Sequence, residues 1–262
     1  MVIIDKEKCI GCGLCASDCC AANLQIVGGK AELKRPACIQ CGHCVAICPQ
    51  NAVSIPEYDM ADVEASACGA VSPDELLRAI KSRRSIRRYT SQPVSESDIA
   101  RLIQAARYTA TAKNRQDNGL LFIQDRLGEL KAFTREVIDG FTLPNPDDMN
   151  PMLSMYAKFN SRFKANPEDD YLFQNAPLLL VITGERALDA GMAAQNIENM
   201  AAALGLGVLF NGFLQGLFEN VPDFKKWLGV EGKSIQCCML LGHPDVAYPR
   251  TAPRAKADVV IM

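Results

Sequence analysis

The chain has 262 residues, 48% of them apolar, with 28 basic against 30 acidic side chains. That length accommodates one large domain, or a large domain with a small companion. A net charge of -2 offers no bulk electrostatic reason to bind nucleic acid or anionic lipid.

The longest apolar stretch, "MAAALGLGVLF" from Met200, is cut by glycines and too short to span a bilayer. The opening "MVIIDKEKC" lacks a basic region leading into an apolar one. A cytoplasmic protein with no membrane or nucleic-acid partner is expected.

Nine of the twelve cysteines fall in the first 48 residues. A reducing compartment disfavours disulfides, which leaves metal. Cys9, Cys12, Cys15 and Cys19 read C-x2-C-x2-C-x3-C, and Cys38, Cys41, Cys44 and Cys48 repeat the spacing, followed by Pro49. Zinc usually draws its four ligands from two separated two-cysteine knuckles. Three cysteines at i, i+3 and i+6 instead wrap one face of a cubane, with the fourth ligand arriving from elsewhere. The pattern favours iron–sulfur clusters, with zinc as the alternative. Between the runs, "LQIVGGKAEL" predicts a hairpin about Gly28–Gly29. A segment this short buries too little surface to fold unaided, so any cluster is also a staple. One centre suffices for that, and a second points to an electron path.

Residues 1 to 56 resemble the two-cluster bacterial ferredoxins. The resemblance implies that Cys9, Cys12, Cys15 and Cys48 hold one [4Fe–4S] cluster. Cys38, Cys41, Cys44 and Cys19 would hold the other, the fourth cysteine of each run crossing over. Cys20 stands where such ferredoxins usually carry proline. It is expected to be a buried bystander, with competition against Cys19 as the other reading.

From residue 57 to 71 the chain is acidic, rich in small residues and without periodicity, as a linker would be. Cys68 lies within it and has no nearby thiol in the sequence. A second domain, 72–262, opens with a helix start: Ser72 as N-cap, Pro73 at N1, and Glu75 completing a capping box. Leu76, Leu77 and Ile80 would supply its apolar face. A second helix follows Ser95, with Ile99, Leu102, Ile103 and Ala106 at helical spacing. "GLLFIQD" from Gly119, "PLLLVITGE" from Pro177 and "SIQCCMLLG" from Ser234 predict buried strands, the last placing Cys237 and Cys238 in a core. Ala187 to Leu204 reads as a long helix. The mixture predicts an α+β domain.

"RRSIRRY", Arg83 to Tyr89, ends the first helix of this domain. Taken alone it reads as a solvated basic turn. With "ATAKNRQ" from Ala110, "AAQNIENMAAALGLGVLFNGF" from Ala193 and the tail "LGHPDVAYPRTAPRAK", it resembles the FMN-binding signature of the nitroreductase family. The resemblance implies a nitroreductase-like α+β domain, with a central mixed or antiparallel sheet flanked by helices, joined to the small 2[4Fe–4S] ferredoxin-like domain.

It further implies that Arg83 and Ser85, with Arg254 and Lys256 from the tail, hold the FMN phosphate, and that Arg84 also belongs to the cofactor site. Arg87 would lie beside the pyrimidine edge of the ring. Asn114 and Gln116 would bond the ring edge and ribityl chain. Asn211 and Gly212 match the backbone that approaches the flavin N5 atom. Asp117–Asn118 replaces the family's frequent Pro-Trp, which puts nitro-compound specificity in question.

The two histidines offer no base: His43 lies inside a cysteine run and His243 in a turn before Pro244. The flavin would carry the chemistry. The expected protein is an iron–sulfur flavoprotein, a homodimer with FMN at the subunit interface. It would pass electrons from two clusters to FMN and on to a small nitro, quinone or activated-alkene acceptor. Candidate donors are NADH, NADPH and a redox protein, and low-potential clusters point to an anaerobic host. Two other functions fit the sequence: a non-enzymatic relay or redox sensor, and an NAD(P)H-driven flavin reductase whose clusters are structural.

Overall fold

A computed structural model describes residues 1–66, 71–140 and 151–262, with side chains from 154 onward in the last segment. Cys68 lies outside the described residues. The chain divides into two compact units, Met1–Val71 with Thr111–Gln116, and Ser72–Ala110 with Asp117–Met262.

In the first unit β1 (Ile3–Ile4) pairs antiparallel with β4 (Val53–Ser54), and β2 (Leu24–Val27) pairs with β3 (Lys30–Leu33) about Gly28–Gly29. The expected hairpin is present. Each cysteine run folds into one helical turn, α1 (Leu14–Ser17) and α2 (His43–Ala46). Both turns are entered through a glycine with positive φ, Gly13 at 80° and Gly42 at 77°, a conformation that a Cβ disfavours. Val2, Leu24, Ala31, Ala52, Val53 and Ile55 form a small core together with Cys9, Cys15 and Cys44. Within 57–71, Met60–Asp62 forms a 3-10 turn, and the Ala61 amide donates to the Asp59 side chain at 2.9 Å. The segment Thr111–Gln116 belongs to this unit. Its Lys113, Asn114 and Gln116 all take positive φ, at 55°, 54° and 50°.

The second unit is built on a four-stranded antiparallel sheet in the order β5 (Gly119–Ile123), β6 (Leu178–Thr183), β8 (Ile235–Gly242), β7 (Gly207–Phe210). The three strands expected from sequence are found; β7 was hidden by its short length and by Gly205 and Gly207 at its start. All of β6 is buried because helices cover both faces. On one face α4 (Glu96–Arg107) and α7 (Ala187–Ala203) pack against Leu178, Leu180, Ile182 and Met239. On the other, α5 (Leu127–Asp139), α6 (Pro151–Ala165), α8 (Gly212–Asn220) and α9 (Pro222–Leu228) enclose Leu179, Val181, Cys238 and Leu240. Alanines at 190, 193, 194 and 201 let α7 lie close to the sheet.

The first helix, α3 (Pro73–Ser82), departs from expectation in two respects. Ser72 is its N-cap, but its side chain makes no capping bond; Pro73 removes one orphan N–H, and Asp74 with Glu75 face the positive end of the helix dipole. Its apolar residues Leu76, Leu77 and Ile80 remain 44–49% exposed. At α4, by contrast, Ser95 Oγ accepts from the Asp98 amide at 3.1 Å.

Candidate functional site

The first unit sorts its thiols into two groups. One cavity of about 360 Å³ is lined by Cys9, Cys12, Cys15 and Cys48, with apolar walls from Ile26, Ala31 and Val53. A second, of about 350 Å³, is lined by Cys19, Cys38, Cys41 and Cys44. The fourth cysteine of each run thus lies with the first three of the other. Among the described residues no group of three or more His, Cys, Asp or Glu is gathered tightly enough for a single ion. The thiols instead ring two cavities.

Backbone amides point at four of these sulfurs, each at 3.3 Å: Ala31 N to Cys9, Asn23 N to Cys19, Gln40 N to Cys38 and Ala52 N to Cys48. Such bonds orient a thiolate and tune any iron it holds. At Cys9 the amides of Ala31 and Gly11 lower the thiol pKa. Burial raises Cys15, and pushes Cys44 up to about 11, with neighbouring thiols adding to the rise. Ionising these buried groups therefore calls for a compensating cation, which iron would provide. Cys20 is exposed and beside Cys41 rather than buried.

In the second unit Arg83 terminates α3, and the chain leaves in an extended conformation. Ser85 bridges Val208 in parallel and the Ile86 amide donates to Val208 O at 2.9 Å, so the segment lies along the edge strand β7. Tyr89 fastens the far end, donating to Ile86 O at 2.8 Å, and burial raises its hydroxyl pKa strongly. Ile86 and Tyr89 point inward, while Ser85 and Arg87 are exposed.

Arg83 Nη1 donates to Glu198 Oε1 at 2.9 Å, whereas Arg83 Nε and Arg84 Nη2 are buried without a hydrogen-bond partner. Adjacent orphaned cationic donors beside a free hydroxyl suit a phosphate. The residues present therefore fit the phosphate end of FMN.

Asn211 is buried, and both ends of its side chain serve the fold. Its Oδ1 accepts from Leu214 N at 3.0 Å, capping α8, and its Nδ2 donates to Leu172 O at 2.7 Å. Beside it Gly212 is exposed, and a Cβ built there would meet nothing within 4 Å. That leaves backbone open to a planar ring.

Asn114 and Gln116 are placed in the first unit. Asn114 Nδ2 donates to Gln40 O at 2.9 Å and Ile39 O at 3.1 Å, and Gln116 Nε2 donates to Tyr58 Oη at 2.8 Å. Arg254 and Lys256 lie in an exposed tail without regular structure, where Arg254 bonds its neighbour Pro253.

Residues 80–243 match the model of the nitroreductase family. The chain belongs to the nitroreductase family. Unlike its flavin-binding fold alone, this nitroreductase-family chain also carries an N-terminal match, over residues 1–49, to the 4Fe-4S dicluster domain. It is 31% identical to the FMN reductase [NAD(P)H] of Bacillus subtilis, over 65% of this chain and 66% of that one. It is 26% identical to the NADPH-flavin oxidoreductase of Vibrio harveyi, over 72% and 73% respectively. The crystal structure of an FMN-bound nitroreductase from Bacteroides fragilis shares the fold, with a TM-score of 0.58 at 19% identity, covering 72% of this chain and 99% of that one. Among the described residues no helix is long and apolar enough to cross a membrane.

Sequence reasoning passed over Glu198. A signal for it was present: in an otherwise alanine-rich helix, Glu198 follows Ala194 by four residues and precedes Ala201 by three, on the buried face. A charge there needs a partner.

Proposed function

We propose that this nitroreductase-family member, an FMN-dependent oxidoreductase, reduces a small electron-poor acceptor with electrons delivered through two [4Fe–4S] clusters. The observation that carries the reading is the crossed sorting of eight cysteines around two cavities, on a chain that also holds the orphaned arginine donors of a phosphate site. When bound, the clusters accept single electrons and FMN exchanges them in pairs.

The chain's residues have definable tasks. Cys9, Cys12, Cys15 and Cys48 hold one cluster; Cys19, Cys38, Cys41 and Cys44 hold the other. Arg83, Arg84 and Ser85 clamp the phosphate. Arg87 sets positive charge beside the pyrimidine edge, and Gly212 keeps backbone clear of the ring face. Asn211 makes that backbone rigid by capping α8. Asn114, Gln116, Arg254 and Lys256 enter through the family resemblance alone.

The exposed stripe of Leu76, Leu77 and Ile80, with Leu188 and Met192 on α7, supports a homodimer that buries these faces. The acceptor is a nitro, quinone or activated-alkene compound, and the setting is cytoplasmic. The names of the two relatives support a second reading, in which NADH or NADPH supplies the electrons and the clusters are structural.

An anaerobic dithionite titration followed by visible absorbance tests the proposal. Two one-electron clusters and a two-electron flavin predict uptake of about four equivalents per chain. Uptake near two, with no flavin released on denaturation, would sink it. Full NAD(P)H-driven acceptor reduction retained in a variant truncated before Ser72 would favour the structural reading over the wired one.

A further inference from the structure

Arg83 is held at one point. Its Nη1 meets Glu198 Oε1 at 2.9 Å, across 115 residues of sequence, while its Nε is buried with no partner. Glu198 itself is 3% exposed on α7, and its second oxygen accepts from Gln195 Nε2 at 2.9 Å, one turn earlier. Both carboxylate oxygens are thus engaged, and the carboxylate cannot swing away without leaving a buried charge unpaired. The guanidinium is planar, so fixing one terminal nitrogen restricts the plane in which the remaining donors lie. The Arg83 side chain as a whole stays 30% exposed, against 4% for Glu198, while its Nε is itself buried.

A purely structural ion pair would satisfy the arginine. This one leaves Arg83 Nε orphaned, with Arg84 Nη2 orphaned next to it. A buried donor without a partner is costly, so these two donors call for an acceptor that the chain itself does not supply.

We propose that Glu198 is a positioning residue for the flavin phosphate: it anchors Arg83 through Nη1 so that Nε and the neighbouring Arg84 donor are presented to the phosphate oxygens. The inference rests on the FMN reading above. Acting through Arg83 alone, Glu198 would affect the phosphate and leave the ring and ribityl chain unchanged. Riboflavin, which lacks that phosphate, is the control ligand.

The test uses the full chain stripped of flavin, titrated with FMN and with riboflavin by flavin fluorescence. Glu198→Leu fills the buried space and removes the anchor; Glu198→Gln keeps an oxygen able to accept from Arg83. Losing alignment of one charge-assisted bond predicts FMN binding weakened about tenfold in the Leu variant, with riboflavin changed less than about twofold. The Gln variant should stay within about threefold of the parent for both ligands. If the Leu variant does not fold, Glu198→Ala carries the same comparison.

Equal weakening of both ligands would make Glu198 merely structural and overturn the proposal. Tighter FMN binding would overturn it too, by showing that the carboxylate only repels the phosphate. A parent protein that binds neither flavin would instead bring down the FMN reading itself.

Discussion

Ile86 stands where any side chain on Gly207 would have to go. A Cβ at Gly207 would lie 2.6 Å from Ile86 Cγ1 and 2.8 Å from its Cβ, closer than real contacts allow. The approach is forced by the bond from Ile86 N to Val208 O and by the bridge between Ser85 and Val208, which lay the arginine segment along β7. Gly207→Ala should therefore lower stability by about 1–3 kcal/mol, as overpacking does. It should also release flavin, since the displaced segment carries Arg83 to Arg87. Thermal denaturation and bound-flavin absorbance check both. An unchanged melting temperature with full flavin would show that the segment is not pinned there.

The crossed sorting of cysteines makes double variants informative. Cys19→Ser with Cys44→Ser removes two ligands from one cavity, whereas Cys48→Ser with Cys44→Ser removes one from each. The first pair should halve the iron, from about eight to about four per chain. The second pair should disturb both sites and leave less than the first. Iron and acid-labile sulfide assays decide. The opposite ranking would mean that each run holds its own cluster.

Asn211→Leu removes the α8 cap and strands the Leu172 carbonyl. A lost N-cap and a broken buried hydrogen bond together should cost about 2–4 kcal/mol in urea denaturation. A loss under half a kilocalorie per mole would mean that water replaces both bonds.

Cys237 predicts an alkaline limb. Burial raises its thiol from the usual 9.0 to about 11. Above the ordinary value the unfolded chain ionises while the folded one does not, so the thiol's contribution is complete below about pH 9 and is lost as pH rises toward 11. The stability difference between the parent and Cys237→Ala should shrink across that window. Parallel curves from pH 8 to 11 would show that burial does not govern this thiol.

The two strongest local patterns were readable because their physics is local. Cluster ligands must be spaced by a helical turn, so C-x2-C-x2-C announces itself, and the hairpin at Gly28–Gly29 follows from two glycines between β-forming residues. The strand at 178–183 was equally plain, since burial on both faces demands an unbroken apolar run. Cys20 was misread as buried because its apolar character said nothing about where the fold would place it. The Ser72 capping box was also overstated, since the residue types permitted the bonds without compelling the geometry.

What the sequence determined on its own was local in pattern: the two cysteine runs, the strands of the core and the basic segment after the first helix. The tertiary structure alone decided which distant groups meet. Glu198 reaches Arg83 only because α7 packs beside the end of α3, and the amide of Asn114 turns to Gln40 only because a run of positive-φ residues folds its segment into the first unit. Pairings of that kind depend on the closing of long loops. Their cost grows only slowly with separation, so no local spacing records them.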